Sequence, residues 1–336
     1  DLGLDMDMFN YRLNVKLDYY YKYTSSLIYD IPIPGSLYAF GAQVENAMEI
    51  SNEGLELELQ ADILRESAVS WRMKFNMARN WNRFEKSYSG KDVVDGDGTL
   101  LVVGRPLNGL YVWAHRGYYN SDAEVPRLYK IDGQEIYFNG VATNGISGAV
   151  GDYRLLDLDG DGNPDSYYAG SPLPLAHGGW VNELMWKNFD LNVLVNFTIG
   201  RKMINNRMGL GFSRQSEDGH LTKLFDYRKL RPWDGVNKKP NAPAWGNSLS
   251  MNTDSAIEKV HHLALKQITL GYNLPDRISK KAGLSGVRFF LTAENLFYLS
   301  NYSGGNPEVV NIYTGRDNGD TYPLPRKYTL GLTLNF

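Results

Sequence analysis

The sequence predicts an all-β protein: an antiparallel transmembrane outer-membrane β-barrel, with about nine strands of a larger barrel joined by long extracellular loops. Three observations predict it. Hydrophobicity alternates with a period of two, several strands run 10 to 14 residues, and connections alternate between short and long. The composition permits this class. Hydrophobic residues make up 43%, yet no run approaches the roughly 20 apolar residues of a membrane helix. Alternating strands carry the same hydrophobicity without forming such a run. The 35 basic and 38 acidic side chains leave a net charge of −3 and no basic footprint for nucleic acid. With no cysteine there are no disulfides, thiolate metal sites or thiol nucleophile.

The strands follow in chain order. Leu2–Phe9 is a weaker first member. Arg12–Tyr23 sorts Leu13, Val15, Leu17, Tyr19, Tyr21 and Tyr23 onto one face, and Arg12, Asn14, Lys16, Asp18, Tyr20 and Lys22 onto the other. A helix of period 3.6 cannot do this over twelve positions. Leu55–Ile63 sets leucines, Ala61 and Ile63 against Glu56, Glu58, Gln60 and Asp62. Val69–Met77 sets Trp71, Met73 and Phe75 against Arg72, Lys74 and Asn76. Gly178–Lys187 is weaker, and Phe189–Ile199 is strongly apolar on its odd face. Val260–Asn273 and Val287–Leu296 follow, and the chain closes on Tyr328, Leu330, Leu332, Leu334 and Phe336. A large soluble sandwich also has one apolar face per strand. Full charges on the polar faces suit a wet lumen better, and Tyr, Trp and Phe on the apolar faces suit membrane-interface girdles.

Connection lengths are an independent signal. Tight joins at Asn10, Leu64–Ala68, Asn188 and Leu274–Gly286 alternate with long loops at about 25–49, 84–177, 201–259 and 297–326. Outer-membrane barrels alternate short periplasmic turns with long extracellular loops; sandwiches have no reason to. On that rule Phe336 ends at the periplasmic side and Asp1, which is not an initiator Met, lies outside. Nine strands starting outside describe part of a barrel, with residues 1–336 lacking the plug domain and first barrel strands.

The long loops hold the chemically suggestive residues. In Asp157-Leu-Asp159-Gly-Asp161-Gly-Asn-Pro-Asp165 the carboxylates stand at relative positions 1, 3, 5 and 9 around Gly162, a pattern that converges on a hard cation such as Ca²⁺. Position 12 is Tyr168, so the bidentate Glu of an EF-hand is missing, and a solvated Asp/Gly turn is the alternative. Asp95-Gly-Asp97-Gly reads as a turn. His261 and His262 are adjacent on a strand and point to opposite faces, so they cannot share a metal. His115, His177 and His220 are isolated, and no HExxH, GxSxG, P-loop or dinucleotide fingerprint is present. Glu56 and Glu58 read as a solvated lumen wall, not an acid/base pair, and nothing argues for an enzyme. Tyr111, Trp113, Tyr118, Tyr119, Tyr167, Tyr168, Trp233 and Tyr302, with Trp245 and Tyr313, either meet substrate and lid or hold the loops folded.

Several ordered blocks resemble the C-terminal β-barrel portion of the SusC/RagA family of TonB-dependent outer-membrane transporters. They are Leu17-Asp-Tyr-Tyr20 with Thr24 and Leu27, Asn52-Glu-Gly54-Leu-Glu56, Gly151-Asp152-Tyr before the Asp157 string, and Asn188-Phe-Asp-Leu191. Ile268-Thr-Leu-Gly271-Tyr-Asn-Leu-Pro275 and Asn295-Leu-Phe297 with Pro307-Glu308 continue the order. The closing residues Tyr328–Phe336 resemble the insertion signal read by barrel-assembly machinery. Asp159 stands where that family more commonly has Asn. The resemblance implies a barrel of about 22 strands with an internal plug, a SusD-like surface lipoprotein as lid, and energy from TonB through the missing plug part. It implies import of oligosaccharides or peptides, without choosing between them. A calcium-dependent surface adhesin or glycan-binding β-domain is the second reading, although the Asp string occurs once where adhesin repeats recur. A barrel component of a secretion or assembly complex is the third.

Overall fold

The computed structural model describes residues 1–33, 41–65, 67–94, 100–125, 127–129, 135–137, 150–160, 165–206, 231–236, 239–244, 253–319 and 321–336. Nine long strands form one antiparallel wall in which every strand pairs with its neighbour in sequence. They are β1 (Leu2–Met8), β2 (Leu13–Pro32), β3 (Ala42–Leu64), β4 (Val69–Lys86), β5 (Ala176–Trp186), β6 (Phe189–Asn205), β7 (Ile257–Asn273), β8 (Gly286–Ser300) and β9 (Lys327–Asn335). A short segment, Arg316–Asp317, adds a parallel pairing to the end of β6. The nine expected strands are therefore present in the expected order.

Register decides what each face meets. Leu17, Leu57 and Met77 stand opposite one another on β2, β3 and β4, as do Lys16, Glu58 and Asn76 one step away. In the first row Leu17 and Met77 are exposed and Leu57 is half-buried, while the second row lines a concave cavity of about 970 Å³. Asn14 on β2 and His262 on β7 line that same cavity. Five strand spacings would separate them by about 24 Å on a flat sheet, so the wall curls with its polar face inward. Along the outward face of β4, Val69 to Trp81 covers about 40 Å of strand. At a tilt of about 45° that is roughly 28 Å, the height of an outer-membrane apolar band.

Aromatic residues bound the band. At the short-turn end Trp186 stacks on Phe189 at 6.3 Å, and Phe189 meets Tyr272 at 4.7 Å. At the other end Tyr19 donates to Glu53 at 3.2 Å, Tyr23 donates to Glu49, and Arg79 lies 4.4 Å over the Trp81 ring. Rings with a polar end belong at such depths. Asn182 interrupts the outward face of β5, and the Trp71 indole N–H satisfies it at 3.1 Å. Gly178 marks a close approach between β4 and β5. A Cβ there would fall 2.1 Å from the carbonyl oxygen of Asn76.

The strands outrun the expected bounds, so the loops are shorter than the sequence suggests. β2 continues to Pro32 and β3 begins at Ala42, narrowing the expected 25–49 loop to residues 33–41. The cause is a bulge at Ser25–Ser26, where Ser26 has φ 56° and the register shifts between Thr24 and Leu27. A bulge reverses which face the odd residues occupy. Leu27 and Tyr29 therefore turn inward, and the alternation breaks in the sequence although the strand does not. β6 likewise runs past Ile199 to Asn205 through a register shift between Thr198 and Arg201, with Gly200 at φ 71°. β7 begins at Ile257 and β8 ends at Ser300, which trims the 201–259 and 297–326 loops as well.

Above the polar middle, the inner face becomes apolar and the loops fold onto it. Phe84, Met48, Val93 and Leu101 form one buried cluster, joined by Leu27, Tyr29, Ile50 and Leu107. A second gathers Leu110, Val112, Ala169 and Ile204, and a third Met203, Val260, Tyr302 and Val310. Burying these side chains offsets the entropy of ordering the loops, which the polar lumen below could not do.

Candidate functional site

The wall positions two features: an inward-folded segment after β8, and a layered loop assembly after β4. The segment runs through a 3₁₀ turn at Pro307–Val309, opened by the Asn306 side-chain Oδ1 accepting from the Glu308 N–H at 2.9 Å. It is held from both sides. The buried Arg201 guanidinium on β6 donates to the carbonyls of Pro307 (3.2 Å), Val310 (3.0 Å) and Asn311 (2.7 Å). The Glu308 carboxylate meets Lys266 at 3.2 Å and His262 at 3.4 Å, both on β7. A register shift against β6 makes this possible: the consecutive Leu194 and Val195 pair with Gln267 and Leu265, so Lys266 is the extra residue of a bulge and joins the inward face. His261, on the opposite face, is exposed, so the two histidines are separated as their spacing requires.

The His262 imidazole and the Lys266 ammonium together hold the Glu308 carboxyl down at about 2, against an ordinary value of 4.5. A depressed carboxyl stabilises above its free value and loses that contribution as pH falls through the folded one. The segment should stay docked from neutral pH to about 4.5 and release progressively toward 2. Limited proteolysis across 303–312 as a function of pH checks this. Glu308→Gln should bring a several-fold rise in cleavage already at neutral pH, since it leaves the Lys266 charge without its partner.

The loop assembly is built from hairpins. Leu110–Trp113 pairs with Ser166–Gly170, and His115–Tyr118 pairs with Tyr153–Leu155. Its aromatics pack largely against each other. Tyr111 meets Tyr168 at 5.6 Å, Tyr118 stacks on Tyr153 at 5.3 Å, and Arg105 lies 4.9 Å over Tyr168. Trp113 bridges to Thr253, and Tyr167 donates to Asp254 at 3.0 Å. Trp233 donates to Asn120 at 3.2 Å, while Tyr119 is buried. Tyr302 is buried in the third cluster and donates to Asp317 at 2.8 Å. Burial pushes the Tyr111 phenol up to about 12 and raises Tyr118 and Tyr153 as well, so all three stay neutral. Tyr313 is exposed. The structure thus joins Tyr111, Tyr118, Tyr119 and Tyr168 into one framework, and places Tyr302 apart from it.

Residues before β5 carry the acidic string. The carboxylates of Asp157, Asp159 and Asp165 lie within 4.8 Å of one another; Asp161 and Gly162 fall outside the described residues, as do Asp95, Asp97, His220 and Trp245. Asp165 accepts from the N–H groups of Leu158 (2.5 Å) and Asp159 (3.2 Å), and Asp157 accepts from Gly160 at 2.6 Å. Gly160, with φ 85°, makes the turn. Two oxygens bound to one Ca²⁺ at about 2.5 Å each stand no more than about 5 Å apart. The donor type and spread therefore fit a hard cation.

Sequence reading missed the docked segment. Lys266, Glu308 and Arg201 are far apart in the chain, and only the bulge, which has no strong local signal, brings them together.

No family model matches the chain. Two TonB-dependent receptors of Formosa agariphila match all of it at 26% and 29% identity, and SusC of Bacteroides thetaiotaomicron matches 99% of it at 26%. The chain is a relative of the SusC/RagA-type TonB-dependent receptors. It spans about a third of their length, 34%, 34% and 31% respectively, in their C-terminal part. Among solved structures, that of the RagAB peptide transporter superposes over 99% of this chain and 34% of its own, with a TM-score of 0.75 at 24% identity. The RagAB peptide importer in its open-open state gives 0.73 at 23%. Receptors of this kind are outer-membrane β-barrels, and the curled wall with its apolar band is such a barrel's surface. In this receptor-type wall, Tyr328, Leu330, Leu332 and Leu334 form the outward row of β9, and Leu330 and Phe336 are 81% and 93% exposed.

Proposed function

We propose that the chain forms the C-terminal wall of a TonB-dependent importer that carries oligosaccharides or peptides across the outer membrane of a Gram-negative bacterium. The observation that carries this is the unbroken run of sequential antiparallel strands, apolar outside and charged inside, whose whole length matches receptors of that kind. The relatives are receptors and transporters. The short turns face the periplasm, so Phe336 ends there and Asp1 lies at the extracellular side. The remaining barrel strands and a plug complete the pore, and TonB acts through the plug. A SusD-like lipoprotein covers the long-loop end, meeting the surface that carries Tyr167 and Tyr313.

Fractionation and copurification test this on the intact protein. The reading requires extraction by detergent, resistance to carbonate, a heat-modifiable band on gels, and a lipoprotein partner in the detergent-solubilised complex. Release by carbonate would replace it with a peripheral adhesin. A barrel that copurifies with secretion components would replace import with assembly.

The same proposal assigns Ca²⁺ to Asp157, Asp159 and Asp165, with Asp161 as a further ligand. Three carboxylates this close repel one another unless a cation lies among them. Millimolar Ca²⁺ should slow proteolysis of the loop several-fold, and Asp157→Asn with Asp159→Asn should abolish that protection while keeping the turn's hydrogen bonds. Equal cleavage with and without Ca²⁺ in the unsubstituted protein would return the loop to a solvated turn.

A further inference from the structure

We infer that the short-turn rim of the wall is a binding surface for anionic phospholipid headgroups. The inference rests on the membrane reading above and goes beyond it. The turns 9–12, 64–68, 187–188 and 274–285 carry six basic residues, Arg12, Arg65, Lys187, Arg277, Lys280 and Lys281, against two acidic ones, Glu66 and Asp276. All six cations are exposed, and among the described residues none of them forms an ion pair. Glu66 lies outside the described residues. The nearby acids of the wall are already engaged: Asp62 with Arg72 at 2.7 Å and Asp190 with Arg288 at 2.5 Å. Arg12 and Arg65 donate to the backbone carbonyls of Asp62, Ile63 and Asn10 and lie near the Asp62 carboxylate, so the positive charge left for outside partners is that of Lys187, Arg277, Lys280 and Lys281.

Depth identifies the partner. These turns follow directly on the aromatic girdle of Trp186, Phe189 and Tyr272, which sets the level of the bilayer interface. Lys187 lies 5.1 Å over the Trp186 ring, carrying the positive charge one step beyond the band. In the β7–β8 turn, Arg277, Lys280 and Lys281 flank Ile278, which is 52% exposed beside them. An apolar side chain among cations at that depth suits a headgroup region, where the side chain reaches acyl chains and the cations reach phosphates. The opposite rim differs: there charges alternate in sign and pair, Glu49 with Lys86 at 3.4 Å and Glu85 with Arg83 at 3.7 Å. Among the described residues, the short-turn rim is the one whose turns carry a basic excess, which selects anionic lipid.

The experiment uses the intact receptor in vesicles of phosphatidylethanolamine and phosphatidylglycerol at three to one, extracted with a polymer that keeps the bound lipid shell. Phosphatidylglycerol should be enriched in the shell by about three-fold over the bulk. Arg277→Gln with Lys280→Gln and Lys281→Gln should remove most of that enrichment, and 1 M salt should do the same to the unsubstituted protein, whose folding is not in question. A shell of bulk composition, or an enrichment unchanged by both salt and substitution, would overturn the inference. Heat-modifiability read on the same samples separates this from failure of the membrane reading, which would abolish insertion altogether.

Discussion

Leu57→Arg in the intact receptor should destabilise the inserted barrel by about 2–4 kcal/mol, while Gln60→Arg on the same strand should leave it within about 0.5 kcal/mol. Leu57 sits in the row with Leu17 and Met77, both substantially exposed on the outward face, near the middle of the apolar band. Arginine there places a charge in hydrocarbon with no partner within the row. Gln60 faces inward between Asn14 and Lys74, where water and polar groups solvate a guanidinium. The cost should fall to about 0–1 kcal/mol for Tyr21→Arg, which lies in the girdle. Urea titration of each variant refolded into vesicles measures all three. Equal destabilisation by Leu57→Arg and Gln60→Arg would show two similar environments and refute the lipid-facing assignment; a soluble sandwich would show the costs without the dependence on depth.

That face assignment was legible in the sequence because its signal is local. A period of two over Arg12–Tyr23 requires only neighbouring residues, and the structure pairs them as the pattern demands. The order of strands followed from connection lengths for the same reason. What was not legible depends on interruptions of the pattern. Ser25–Ser26 reads as the end of a strand, because its hydroxyl side chains favour turns and the alternation loses phase there. The backbone bulges and continues, and the residues after it change face. The aromatic residues of the long loops show a second limit. Composition marks Tyr111, Tyr118 and Tyr168 as able to stack, but the contacts of Tyr111 with Tyr168 and of Tyr118 with Tyr153 follow from hairpins between segments roughly 40 to 60 residues apart. The acidic string lies between the two cases: its spacing is local, and its three carboxylates among the described residues lie within 4.8 Å of one another.

Phe84→Ala should cost about 3–5 kcal/mol of loop stability, and its effect should be read in the loops and not in the barrel. Phe84 is 0% exposed and lies where the inner face of β4 changes from polar to apolar. Its backbone is part of the same junction: the Phe84 N–H donates to Arg105 at 2.9 Å, and Gly104 N–H donates back to its carbonyl at 2.7 Å. Asn82, two residues earlier on that face, accepts from Leu107 N–H at 3.0 Å. Removing the ring leaves a cavity among Met48, Val93 and Leu101, with only partly buried neighbours to fill it. The ladder between β3 and β4 does not depend on that ring, since its pairing runs from Glu49 to Leu64 of β3 and from Trp71 to Lys86 of β4. Amide hydrogen exchange should therefore show protection lost over 93–94 and 100–109 while 55–62 and 70–78 keep theirs. Loss of protection in the lower wall as well would show that loops and barrel fold as one cooperative unit. In that case the apolar upper cluster would serve assembly of the wall and not only the ordering of the loops above it.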